Sequence, residues 1–195
     1  MKIARLALAA LAACAFSACQ MPATFARKEI VRRAIYVQPA ESSQSPLYVW
    51  HGSGEPGPVR MTVDLSEQRL YIFRNSENLG WSYVATGRSG FRTPTGSFVI
   101  TEKKVDKRSN KYGSIVDSGG NVIRRNATAG VHGGRFLGSK MPYWMRLTSN
   151  GVGMHAGPIP NPGSPASHGC IRLPYVVAQR VYDIAPPGTR VTIVP

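Results

Sequence analysis

Cysteine is scarce in this chain: three among 195 residues, at positions 14, 19 and 170. Three cannot supply the paired framework of a small disulfide-stapled fold. Acidic residues are also few, 10 against 24 Lys and Arg, which gives a formal charge of +14. So basic a chain suits an anionic partner: nucleic acid, a membrane surface or an acidic polymer. No apolar run reaches the length of a membrane-spanning helix, and neither a heptad nor a Gly-X-Y period is present. A multi-pass membrane protein, a coiled coil and a collagen are thereby excluded, and no internal repeat is visible. Gly and Pro, by contrast, are plentiful, 20 and 15 residues. They favour turns and short strands over long helices. The length allows one domain with a full core plus some extra chain.

The N-terminus narrows the anionic partners. Met1-Lys2-Ile3-Ala4-Arg5 is followed by the apolar run Leu6 to Phe16 and then Ser17-Ala18-Cys19. A basic start, a short apolar stretch and small residues describe a secretory signal over residues 1–18. Small residues directly before a Cys resemble a bacterial lipobox, in which the Cys is lipidated. Cys19 is the favoured candidate because it leaves the apolar run its full length; Cys14 and an ordinary cleaved signal are the other readings. Export keeps the chain away from chromosomal DNA, so no nucleic-acid partner is expected. Phospholipid headgroups and envelope polymers remain. Export with lipidation at Cys19 would also leave Cys170 as the one free thiol, either inert or kept for its reactivity.

Residues 19–58 read as a tether. Arg27, Lys28, Arg32 and Arg33 can rest on anionic headgroups beside a lipid anchor, at about 1 kcal/mol per charge, or can simply be solvated. Residues 41–58 are rich in Ser, Pro and Gly, although Leu47 to Trp50 could pack locally. The domain proper is expected at 59–195. Val59, Met61, Val63 and Leu65 alternate with polar residues, which predicts a half-buried strand. Residues 69–74, 81–86, 96–101, 144–148, 152–155 and 189–194 read as further strands, with Asn150-Gly151 as a hairpin turn. Pro174 opens one helix with Val177, Val181 and Ile184 on a common face. Residues 103–140 show no period and read as a long functional loop or lid. The fold expected is mainly β, a small curved β-sandwich or open barrel with one short helix near the C-terminus.

The chemistry concentrates in Met154-His155-Ala156-Gly157 and Ser167-His168-Gly169-Cys170-Ile171-Arg172. A thiol becomes a strong nucleophile as the thiolate, and a nearby imidazole can take its proton. His168 lies two residues before Cys170, so an extended strand would place both on one face. His155 is far enough away to return on a neighbouring segment. Gly169 would let a substrate backbone approach the sulfur. The Cys170 N–H is a natural oxyanion donor, and Arg172 could hold a carboxylate. Catalytic activation of the thiol predicts fast labelling near neutral pH. A zinc site of His155, His168 and Cys170 fits no common ligand spacing, so no metal is expected. His132 and His51 read as ordinary loop residues, Tyr143 and Trp144 as core, and Lys103-Lys104 and Arg124-Arg125 as solvated. No histidine follows Cys170, which excludes the papain-like order. Sortase-like enzymes share the order His, Cys, Arg but lack the Ser-His-Gly.

Ser167 to Arg172 (SHGCIR) with His155-Ala156-Gly157 upstream resembles the YkuD-type L,D-transpeptidase domain. Gly87 to Gly96, Met141 to Met145 and Leu65 to Phe73 support the resemblance, which covers about residues 60–194. It implies a β-rich fold, Cys170 as nucleophile and His155 as proton donor and acceptor. His168 then shapes the pocket, beside Ser167, Gly169 and Arg172 as oxyanion or substrate-binding residues. Ala156 departs from the Gly or Ser of many members, but a backbone carbonyl there orients the histidine, so the change should be harmless. The implied activity is transfer of a peptidoglycan stem peptide, through a Cys thioester, to an amine, with no cofactor. An L,D-carboxypeptidase or amidase at the same Cys, and a non-catalytic envelope lipoprotein that binds wall polymer, are the alternatives. The chain is expected to be a monomer in the periplasm, lipid-anchored to the outer membrane.

Overall fold

The computed structural model describes residues 46–52, 54–130 and 132–195. The signal segment, the lipidation candidates Cys14 and Cys19 and the basic stretch 27–33 lie outside the described residues.

Alternation in the sequence becomes a six-stranded sheet. β2 (Val59–Asp64) buries Val59, Met61 and Val63, and β3 (Arg69–Arg74) buries Leu70 and Ile72. The two pair antiparallel from Val59 opposite Arg74 to Asp64 opposite Arg69. Asp64 closes their turn by accepting from Ser66 Oγ at 2.7 Å and from the Glu67 N–H at 2.9 Å. Such Asx-type bonds are why Asp recurs at turns. β4 (Glu77–Tyr83) extends the hairpin, and β1 (Tyr48–Trp50) pairs along β4. The sheet therefore reaches into the 19–58 segment, at the Leu47 to Trp50 stretch able to pack locally. β13 (Arg190–Val194) runs parallel to β2 and antiparallel to β5 (Gly96–Val99). The order is β1-β4-β3-β2-β13-β5.

A second sheet has the order β12-β11-β10-β6. Its strands are β6 (Glu102–Lys104), β10 (Trp144–Arg146), β11 (Gly153–Ala156) and β12 (Ile171–Leu173). The hairpin at Asn150-Gly151 joins β10 to β11 as expected, while β11 and β12 pair in parallel. Helix α1 (Tyr175–Ile184) starts after Pro174 and buries Val177, Ala178 and Val181. These side chains share one apolar cluster with Met61, Leu70 and Ile193 of the first sheet and Met154 and Leu173 of the second. Each fully buried Val, Leu, Ile or Met among them contributes about 1.5–3 kcal/mol.

Residues 103–140 correct the expectation of an irregular loop. They hold β6, β7 (Arg108–Val116), β8 (Val122–Thr128) and β9 (Arg135–Lys140), and the last three form a sheet of order β8-β7-β9. The pattern was invisible because β8 is exposed at every position but Ala127, so apolar alternation never develops. Register shifts at Gly113/Ile115 and Ile115/Val116 break what period remains. Gly138 allows β9 to close on β7: a Cβ there would lie 1.9 Å from the Ser109 carbonyl oxygen. The fold is mainly β with one such helix among the described residues, and its sheets are open.

Candidate active site

β11 and β12 set the site by their register. His155 on β11 stands opposite Arg172 on β12, and Cys170 is the last residue before β12. Residues 168–170 form a bend, with Gly169 at φ +107°. The expected extended strand through His168 and Cys170 is thus corrected to a bend, yet both residues still line one cavity.

That bend is tied at three points. Ser167 is buried, donates its hydroxyl to the Cys170 carbonyl at 2.5 Å and accepts the Gly169 N–H at 3.0 Å. Thr93, also buried, donates to the Gly169 carbonyl at 2.8 Å and accepts the Gly87 N–H at 2.9 Å. The segment 85–88 then pairs with both ends: Ala85 and Arg172 exchange backbone bonds at 3.1 and 3.0 Å, and the Ser167 N–H reaches the Thr86 carbonyl at 2.9 Å. Gly87 is obligatory, since a Cβ there would lie 1.7 Å from the Phe91 carbonyl oxygen. Behind it, buried Gln68 accepts the Thr86 N–H at 2.9 Å. None of these bonds uses the Cys170 N–H.

His155 Nδ1 lies 2.8 Å from the Ala156 carbonyl oxygen. A carbonyl only accepts, so the proton sits on Nδ1 and Nε2 keeps its lone pair. Burial pushes His155 down to about 4, against the Ala156 bond, and Arg172 adds to the lowering. Cys170 Sγ approaches the Gly151 carbonyl oxygen at 3.8 Å. Burial pushes its thiol up, opposed by the Gly153 N–H, Arg172 and Lys107. Both groups are thus neutral near pH 7. Such a pair suits proton transfer at the moment of attack. Each is held by a main-chain carbonyl, and both open on one cavity of about 530 Å³.

Arg88, Phe91 and Tyr112 hold His168. The guanidinium lies 3.0 Å from His168 Nε2, which must accept, and the imidazole stacks on Tyr112 at 4.4 Å with Phe91 edge-on at 4.6 Å. Burial lowers the His168 pKa first, then Arg88 and Arg172. Arg172 is half-buried and lines the same cavity. Trp144 is buried, in agreement with a core role, and also lines the cavity. His132 and His51 are exposed loop residues. Arg124 and Arg125 are exposed, whereas Lys103 is half-buried and donates to the Tyr182 carbonyl.

A family model for the L,D-transpeptidase catalytic domain, YkuD, matches residues 58–193. The chain belongs to this family. A Bacillus licheniformis protein named as a YkuD L,D-transpeptidase is 28% identical over 139 residues, 71% of this chain and 67% of its own. An L,D-transpeptidase from Mycobacterium smegmatis superimposes with a TM-score of 0.55 at 22% identity, covering 71% of this chain and 59% of that one. The L,D-transpeptidase LdtMt1 in complex with imipenem gives 0.53 at 25% identity, over 70% and 58%. The chain thus spans just under six tenths of those solved structures. In this L,D-transpeptidase domain the SHGC segment leads directly into β12, which pairs with β11.

Sequence reading missed Arg88, Tyr112 and Thr93 as parts of the site. The stretch Gly87 to Gly96 carried the only signal, as a resemblance without roles. Tyr112 lay in the segment read as structureless.

Proposed function

We propose that this L,D-transpeptidase-family chain transfers peptidoglycan stem peptides through a thioester on Cys170. The observation that carries the reading is the His155 Nδ1 bond to Ala156, which leaves Nε2 as a base on the cavity that Cys170 enters. His155 Nε2 takes the thiol proton as the sulfur attacks the carbonyl between an L-centre and D-alanine. The Cys170 N–H stabilises the oxyanion, and Arg172 binds the D-alanine carboxylate. As the tetrahedral intermediate collapses, the C–N bond breaks and His155 returns the proton to the departing amine. The thioester is then attacked by an acceptor amine, whose proton passes to His155 and back to the thiol. Gly169 leaves room for the substrate backbone, and Ser167 and His168 shape the pocket around it. The chemistry needs no cofactor.

Buried neutral partners support this order. A neutral imidazole and neutral thiol avoid a buried ion pair before substrate arrives. The signal-like N-terminus and the lipobox-like Cys19 support a periplasmic enzyme anchored to the outer membrane, and the reading takes the domain to act as a monomer. Intact mass of the mature N-terminus tests the anchor: a diacylglyceryl mass on Cys19 supports it, an unmodified start at Gln20 or Met21 refutes it. Incubation of the purified chain with muropeptides tests the reaction. Release of D-alanine with joined stems is the expected result. D-alanine release with water as the only acceptor would identify a carboxypeptidase, and no release would refute the reading.

A further inference from the structure

The cavity has two walls of different chemistry. One carries Cys170, His155 and Arg172. The other, from β7, β9 and the connector before β7, presents Lys107, Lys111 and Lys140. Arg108 stands opposite Lys140 in the β7–β9 register, and the Met141 N–H donates to the Lys107 carbonyl at 2.8 Å, so Lys107 and Lys140 are neighbours. Lys111 lies further along β7, its ammonium 5.4 Å from the ring centre of Tyr112, which in turn stacks on His168. The Lys107 ammonium sits 5.4 Å from the ring centre of Trp144.

No Asp or Glu among the described residues lines this cavity. Among the described residues, the ion pairs join Arg69 to Glu67 and both Lys104 and Arg146 to Glu102, and none involves the three lysines. Arg146, which also lines the cavity, is paired with Glu102 at 2.6 Å, a carboxylate it shares with Lys104. The proposed reaction uses one cation, Arg172, for the terminal carboxylate. Lys107 also acts on the Cys170 thiol; Lys111 and Lys140, neither of them in an ion pair among the described residues, are charge that the bond-breaking step does not use. Cations of one sign lining a concave surface focus a field that favours an anionic ligand.

We propose that this lysine wall binds free carboxylates of the acyl-donor peptide that lie away from the scissile bond, so that the chain selects stems whose acidic groups are unamidated. The inference rests on the transfer reading above. Peptidyl carboxylates suit the wall because its lysines are spread along two strands of the cavity that Cys170 also lines. Ser109 and Ser139, which line the same wall, add neutral hydrogen-bonding groups between the charges.

The test compares two tetrapeptides ending in D-alanine on the full chain: one with its acidic residues free, one with those carboxylates as primary amides. The free form is expected to have a kcat/KM about fivefold higher, the scale of two solvent-accessible ion pairs. The ratio should shrink in about 0.5 M salt, where screening is strong. Lys111→Gln/Lys140→Gln should bring it to about one through KM, and Lys111→Arg/Lys140→Arg should preserve it. Lys107 is spared because its charge also acts on the thiol. Equal kcat/KM for both peptides, or an unchanged ratio in the Gln variant, overturns the lysine wall and leaves the transfer reading standing. Turnover of neither peptide overturns the transfer reading instead. The wall is then judged by calorimetric binding of the two peptides to Cys170→Ala: a preference for the free form supports it, and equal affinity overturns it.

Discussion

The Ser167 hydroxyl lies 2.5 Å from the carbonyl oxygen of Cys170, and the same oxygen of Ser167 accepts the Gly169 N–H. One buried side chain thus closes the bend that aims the sulfur. Removing it leaves the part-buried Cys170 carbonyl and the buried Gly169 N–H without that partner, at about 1–3 kcal/mol for a fully buried unsatisfied group. Ser167→Ala should lower the melting temperature by several degrees and reduce kcat by about tenfold or more through misplacement of the thiol. Thermal unfolding and D-alanine release, measured on one preparation, check both. A variant with wild-type kcat would show that the bend holds itself.

Thr93 bridges the Gly87 N–H and the Gly169 carbonyl from a buried position. Thr93→Val keeps the shape and removes both bonds. The expected loss is about 2–4 kcal/mol of stability, read by urea unfolding, with a larger loss of activity than the change in folded fraction explains. Thr101, whose hydroxyl is at the surface, gives the control: Thr101→Val should leave the unfolding midpoint within experimental error.

His155 sets a pH dependence. Its folded pKa is about 4, below the ordinary 6.5, because burial penalises the charged ring. Between those values the unfolded chain binds a proton that the folded chain refuses. The associated stability is therefore present above pH 6.5 and is lost as the pH falls towards 4. His168 shifts in the same direction. The melting temperature should fall through that window, and His155→Gln should flatten the fall. Equal slopes for the two proteins would contradict the assignment.

How much of this was legible in the sequence follows from where the signals are written. β2 and β3 alternate one buried face with one wetter face, so their period of two survives in the residue order. The helix face of Val177 and Val181 survives for the same reason. β7, β8 and β9 could not be read, because their residues are mostly solvated and their register is broken by bulges. Cys170, His155 and Arg172 were readable as a local motif. Tyr112 and Arg88, 58 and 82 positions before Cys170 in the numbering, reach His168 only through tertiary packing. The direction of the thiol shift was not readable either. It depends on how much of the sulfur the surrounding turns cover, which no spacing encodes.

The central claim is that Cys170 carries the acyl group. Intact mass measurement of the chain mixed with a stem tetrapeptide, quenched in acid, tests it most directly. The account predicts one adduct per chain with the mass of the stem less D-alanine, located on the peptide spanning Ser167 to Arg172 and absent from Cys170→Ala. A His155→Ala chain should form it about 10²–10⁴-fold more slowly. D-alanine release by Cys170→Ala, or an adduct on any other residue, would contradict the account.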